Sequence, residues 1–213
     1  GGMCFSAETQ IESLYRNARV IRIYEGTNEI SRLLSVDMLL RYALKGKIDL
    51  MNPAMTALRE AQSGKPSPGL PEKGRLAEEK HALHNFKKAV IMIAGAVAQR
   101  MMNQLKQEQE ILLQLADMFM QIYAFESALL RTEKHASKAD FAVRQDLTTL
   151  LMHRCADALR HAGKEAILGF MESTEAARFL RALENWTQAT PANLKAARRR
   201  VAEEVLEKGG YVF

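Results

Sequence analysis

The strongest pattern in this chain is a repeated step of three and four between apolar residues. Between residue 76 and about 106 the step picks out Leu83, Phe86, Val90, Ile93, Val97 and Met101. Between 108 and about 135 it picks out Ile111, Leu115, Met118, Ile122, Phe125 and Leu129. That spacing lays one apolar stripe along a helix. At ~1.5 Å per residue each helix is roughly 40 Å long. A third segment, about 139–162, carries Val143, Leu147, Leu150, Leu151 and Cys155. Shorter helices are predicted over about 174–187 and 191–208, the last opened by Thr190-Pro191 as a cap followed by proline. Toward the start of the chain, Ser6 reads as an N-cap for a helix to about Val20, with Glu8 in its first turn. Thr27 or Asn28 reads as the cap of a second helix to about Lys45, with Ile30, Leu33, Leu34, Met38 and Tyr42 on one side. Gly46 stops it, and Asn52-Pro53 opens a short helix to about Gln62. The stretch "SGKPSPGLPEKG", residues 63–74, holds three prolines and three glycines in twelve residues and reads as a linker. The fold class is all-α, an up-and-down helical bundle with long antiparallel helices.

Composition agrees with that class. Of the 213 residues 47% are hydrophobic and only 7% aromatic, and Ala, Leu, Met, Glu, Gln, Lys and Arg, the good helix formers, dominate. The net charge is +5, from 30 basic and 25 acidic residues. The two signs are interspersed, which argues against a nucleic-acid binder. "KAARRR", residues 195–200, is followed at once by acidic residues and reads as a solvated helix face. Cys4 and Cys155 stand in no metal or redox spacing. The longest apolar run, 89–98, is half of what a membrane span needs, about 20 residues, so it reads as a buried helix in a soluble protein of a reducing compartment.

Chemistry is sparse. His81 and His84 are spaced i, i+3, but no third ligand completes a set, so no metal is expected. His153 and Cys155 face different directions and form no nucleophile–base pair. Met92, Met101, Met102, Met118, Met120 and Met152 read as filling of a bundle core. Glu108, Glu110 and Asp117 read as a solvated face. The exception is "IRIYEGTNEI", residues 21–30, a break between two helices. Glu25 there has bulky Tyr24 before it and Gly26 after it, and a helix start follows at once. A helix start offers N–H groups and partial positive charge to an anion, and a carboxylate beside apolar surface can serve as a base. From residue types alone, Glu25 is either such a base or a surface acid favoured by the helix N-terminus.

A wider match bears on that choice. "GGMCFSAETQIESLYRNARVIRIYEGTNEISRLL", residues 1–34, closely resembles the C-terminal catalytic segment of the acyl-CoA dehydrogenases. "EQEILLQLADMFMQIYAFESALLR", residues 108–131, and the closing "VLEKGGYVF" resemble the additional helical domain of the very-long-chain branch of that family. The resemblance implies FAD-dependent α,β-dehydrogenation of a long-chain fatty acyl-CoA to a trans-2-enoyl-CoA. It makes Glu25 the catalytic base and lays Gly26 against the substrate. It places Thr27, Asn28 and Glu29 toward FAD, and Gly1 and Gly2 toward the FAD of a partner subunit. Cys4 stands where the family usually has glycine, Ser13 where arginine is common, and Asn17 replaces the usual aspartate.

The expected organisation is the end of the catalytic bundle at 1–62, a linker at 63–74 and an additional helical domain at 75–213. The chain then reads as the C-terminal part of a longer enzyme, and these residues alone are not expected to bind FAD. The implied partners are fatty acyl-CoA, electron-transfer flavoprotein and a second copy in a homodimer. The implied compartment is cytoplasmic, or mitochondrial in a eukaryote. A second reading makes the chain a non-catalytic interaction domain for dimer packing or membrane-surface association, with "LREAQSGKPSPG", residues 58–69, as the membrane contact.

Overall fold

The computed structural model describes residues 1–63, 74–101 and 104–211, so most of the expected linker, and with it the expected membrane contact beyond Ser63, lies outside the described residues, as does Met102. A short 3₁₀ turn, Gly2–Phe5, precedes eight α-helices: α1 Gln10–Ile21, α2 Asn28–Leu44, α3 Met51–Ser63, α4 Ala77–Met101, α5 Gln109–Lys134, α6 Phe141–Phe170, α7 Ser173–Trp186 and α8 Leu194–Glu207. No strand occurs among the described residues, and none of their helices is long and apolar enough to cross a membrane.

Side-chain pairs between helices fix the directions. Lys80 meets Glu133 and Lys87 meets Glu126, so α4 and α5 run antiparallel. Thr132 bonds to Thr148 near one end of α5 and α6, and Gly169 approaches Ile111 near the other. Lys88 pairs with Glu60 across α3 and α4. Asp146 accepts from Arg200 Nε at 2.7 Å and Nη2 at 2.6 Å across α6 and α8. These pairs are partly exposed and add little stability; what they do is set register.

Stability comes from the stripes. Every apolar residue named for the 108–135 segment is buried, as are Leu83, Phe86, Val90, Ile93 and Val97 of α4. One continuous core runs from Ala57 and Ala61 of α3 through α4–α7. Met92, Met118 and Met152 are buried in it, whereas Met101 only lines its edge and Met120 is exposed. Burial pushes the Cys155 thiol up to about 12, which leaves it an inert core residue.

Helix α6 continues eight residues past its expected end. Gly163 lies inside it, where a Cβ would come within 2.9 Å of Leu183 and 3.1 Å of Ile93. The glycine is the point where α7 can close on α6. Three expected caps are also corrected. Ser6 accepts from the Glu8 N–H in a preceding turn, and Thr9 is the residue that enters α1. Asp49, not Asn52, caps α3, accepting from the Asn52 backbone at 3.2 Å and side chain at 2.8 Å. The Asn52 side chain, first among the causes, holds the Asp49 carboxyl below the usual range. Asn193 caps α8 through the Ala196 N–H, while the Thr190 carbonyl meets the His153 ring at 3.0 Å.

The first two helices differ from the rest. Helix α1 buries no residue, and its main neighbour is the Gly2–Phe5 turn. Helix α2 docks on α5 and brings only Leu33 of its expected stripe into that contact. Val36 is buried, with Leu33 and Leu40 beside it, and Arg32 bonds to Asp117. Asp117 is therefore a docking residue rather than part of a solvated face. Ile30, Leu34, Met38 and Tyr42 point away from α5 and are exposed.

Candidate functional site

The break between α1 and α2 is a closed turn. The Ile23 and Tyr24 N–H groups both donate to the Val20 carbonyl, ending α1. The Asn28 N–H then reaches back to the Arg22 carbonyl at 3.2 Å and ties the two helices together. Closing the chain this tightly requires left-handed backbone at Glu25 (φ +56°) and Gly26 (φ +98°). Gly26 adopts it freely, for lack of a Cβ. Glu25 does not, and a non-glycine residue held there costs of order 1–3 kcal/mol. Strain of this kind clusters at functional sites. Its result here is an outward, exposed carboxylate with Ile21, Ile23 and Tyr24 exposed around it.

Thr27 is the N-cap of α2, its Oγ1 accepting from the Ile30 N–H at 3.3 Å. The start of α2 is not an open anion cradle. The Asn28 N–H goes to Arg22 and the Ile30 N–H to Thr27. The Glu29 carboxyl takes its own backbone N–H, the first cause holding it below the usual carboxylate range. The Thr27 hydroxyl, Arg22 and Arg32 lower it further.

Glu25, Gly26, Thr27, Asn28 and Glu29 therefore lie together, and Gly1 and Gly2 do not join them. The two glycines stand before α1 and the turn after it, with roughly 18 Å of helix between. A Cβ on Gly1 or Gly2 would meet nothing within 4 Å, so that backbone is an open edge. Cys4 fits the 3₁₀ turn, its N–H donating to the Gly1 carbonyl at 3.0 Å. As for the other candidates, His81 bonds to Asn85 at 2.9 Å, and no three His, Cys, Asp or Glu side chains converge among the described residues.

Comparison with known proteins shows which family this all-helical bundle belongs to. Two models, both described as acyl-CoA dehydrogenase, C-terminal domain, match residues 1–40 and 85–185. The chain belongs to the acyl-CoA dehydrogenase C-terminal domain family. It is 35% identical over 214 residues to a "Probable acyl-CoA dehydrogenase" of Bacillus subtilis (strain 168), covering 99% of this chain and 36% of that protein. It also matches the crystal structure of an acyl-CoA dehydrogenase complexed with FAD from Bacillus anthracis, at a TM-score of 0.91 and 33% identity. That match covers 100% of this chain and 36% of the other. The chain thus spans little more than a third of the length of either relative.

Proposed function

We propose that this chain is the base-bearing C-terminal part of an acyl-CoA dehydrogenase that converts a long-chain fatty acyl-CoA to the trans-2-enoyl-CoA, with Glu25 as the base. The observation that carries the reading is the left-handed Glu25, held on a strained turn and aimed away from the chain's own core. In this reading residues 1–62 end the catalytic bundle and 75–213 form the additional helical domain of the very-long-chain type.

The chemistry asks two things of the base. A proton α to a thioester is acidic only while the carbonyl oxygen is stabilised, and a carboxylate is basic enough only out of water. The exposed Glu25 meets the second condition when an acyl chain and further protein surface close over Ile23 and Tyr24. Gly26 leaves the backbone beside the base free of a side chain for the substrate to approach. The residues fit FAD as edges rather than as a container: Thr27, Asn28 and Glu29 at one end of α1, and the bare Gly1–Gly2 backbone at the other. When bound, the flavin supplies the acceptor for the β-hydrogen. The separation of the two edges suits a site shared by two copies.

Anaerobic addition of palmitoyl-CoA to the full-length protein is expected to bleach its flavin absorbance and yield the 2-enoyl thioester. A series of acyl lengths should peak at sixteen carbons or longer, as the branch assignment requires. Absence of bleaching with every acyl-CoA would overturn the reaction, and a peak at short chains would overturn the branch. Electron-transfer flavoprotein is the proposed re-oxidant.

The exposed face of α1 and α2 favours an assembly role as well. Ile11, Leu14, Leu34 and Met38 are 44–64% exposed, and apolar surface gathered this way marks an interaction site. A homodimer with these helices at or near its interface is expected. Size-exclusion chromatography with light scattering should show a dimer that Leu34→Asp weakens. A monomer before and after the substitution would refute it.

A further inference from the structure

A cavity of about 670 Å³ opens where α6 faces the end of α5 and the start of α8, and none of its lining comes from residues 1–44. Leu150 and Leu151 line it one turn before Arg154 on α6, and Leu194 lines it one turn before Arg198 on α8, so each wall carries apolar surface beside a cation; Arg144 is buried in the lining. Among the described residues Arg131 is a further cation of the lining, and Asp157 is its single acid. That acid is already held by Arg160 at 2.8 Å. Arg144 is bound by Asp140 at 2.7 Å, and its guanidinium, the first cause, keeps the Asp140 carboxyl below the usual range. Arg154 and Arg198 are different: both are exposed, and neither pairs with a carboxylate among the described residues. Their neighbour Arg200, from the same basic run as Arg198, is locked onto Asp146.

Three features set this place apart from a solvated basic face. The volume lies in the range of small-molecule sites, roughly 300–1,000 Å³. Low-dielectric leucine walls concentrate the field of an excess of cations. The polar groups at the base make no demand for a ligand, since Thr148 Oγ1 donates to the Arg144 carbonyl at 2.9 Å and lies 2.7 Å from Thr132 Oγ1. What remains unanswered is charge at the mouth and apolar surface beside it.

We propose that this cavity binds an amphipathic anion, a linear acyl chain ended by a single negative group, with Arg154 and Arg198 on the head and Leu150, Leu151 and Leu194 along the tail. The site is separate from Glu25 and needs no catalytic step.

Titration calorimetry of the full-length protein with decanoate, decanol and acetate tests it. Decanoate should bind saturably and at least about tenfold more tightly than either of the others, because each of them lacks half of the recognition. The double variant Arg154→Gln/Arg198→Gln should lose at least about tenfold in decanoate affinity, with its thermal unfolding unchanged. Glu25→Gln should leave that affinity intact, which separates this site from the proposed active site. Acetate binding as tightly as decanoate would overturn the proposal, as would decanoate affinity that survives in the double variant.

Discussion

Glu25→Gln in the full-length protein should lower turnover by ~10²–10⁴-fold while flavin content stays at the wild-type level. The amide keeps the size and shape of the carboxylate but has no basic oxygen to take a proton. The other acid of this turn, Glu29, is committed to the start of α2, where its own N–H and Thr27 stabilise the anion. The turn itself should survive, because it is closed by backbone bonds from Ile23, Tyr24 and Asn28 that do not involve the Glu25 side chain. Stopped-flow reduction with a saturating acyl-CoA is the measurement. A reduction rate within about threefold of wild type, well short of what loss of a general base costs, would assign proton removal to another group.

The largest effect on stability is expected from Phe125→Ala, about 3–5 kcal/mol. Phe125 is fully buried on α5, and its ring lies 5.7 Å from that of Phe86 on α4 at 47°. The tilted contact adds to the area both rings bury. Truncation opens a cavity that the surrounding close-packed core fills only in part. Two residues earlier on the same helix, Tyr123 is exposed, and Tyr123→Ala should stay within about 0.5 kcal/mol of wild type. Denaturant midpoints for the two variants decide it, and equal midpoints would refute the core assignment.

The helices of the bundle were legible because their stripes carry a single message. In α5 each apolar residue three or four places on is buried, so periodicity alone places the helix and its inner face. Helix α2 misleads for a physical reason. It has apolar residues on two faces, and periodicity cannot tell which one docks; the Arg32–Asp117 bond and Val36 mark the docked face, which takes only Leu33 from the expected stripe. The caps failed similarly. Ser6, Asn52 and Thr190 have the right chemistry, but Thr9 and Asn193 hold the positions that enter α1 and α8, and Asp49 takes the Asn52 N–H from just before α3. Glu25 was legible as a candidate from its neighbours, and only the family resemblance singled it out as a base. Its left-handed backbone has no sequence signature beyond the glycine that follows. The cavity of α5, α6 and α8 was missed because Arg154 on α6 and Arg198 on α8 come from distant segments, and Arg198 sits in a run whose other charged members are exposed, with Arg200 held by Asp146.

Helix α1 has one further consequence, for the order of folding. A helix of about 12 residues is marginal in water by itself, and α1 buries nothing among the described residues to offset that. The α4–α6 core, built from neighbours joined by short connections, has the low contact order that favours rapid formation. Helix α1 belongs at the other extreme, among the first segments to open and exchange their amide protons. The turn that presents Glu25 is anchored on one side to this late, weak helix and on the other to α2. In the proposed reading, assembly steadies the turn on its α1 side, and the power of Glu25 to remove a carbon-bound proton depends on that support.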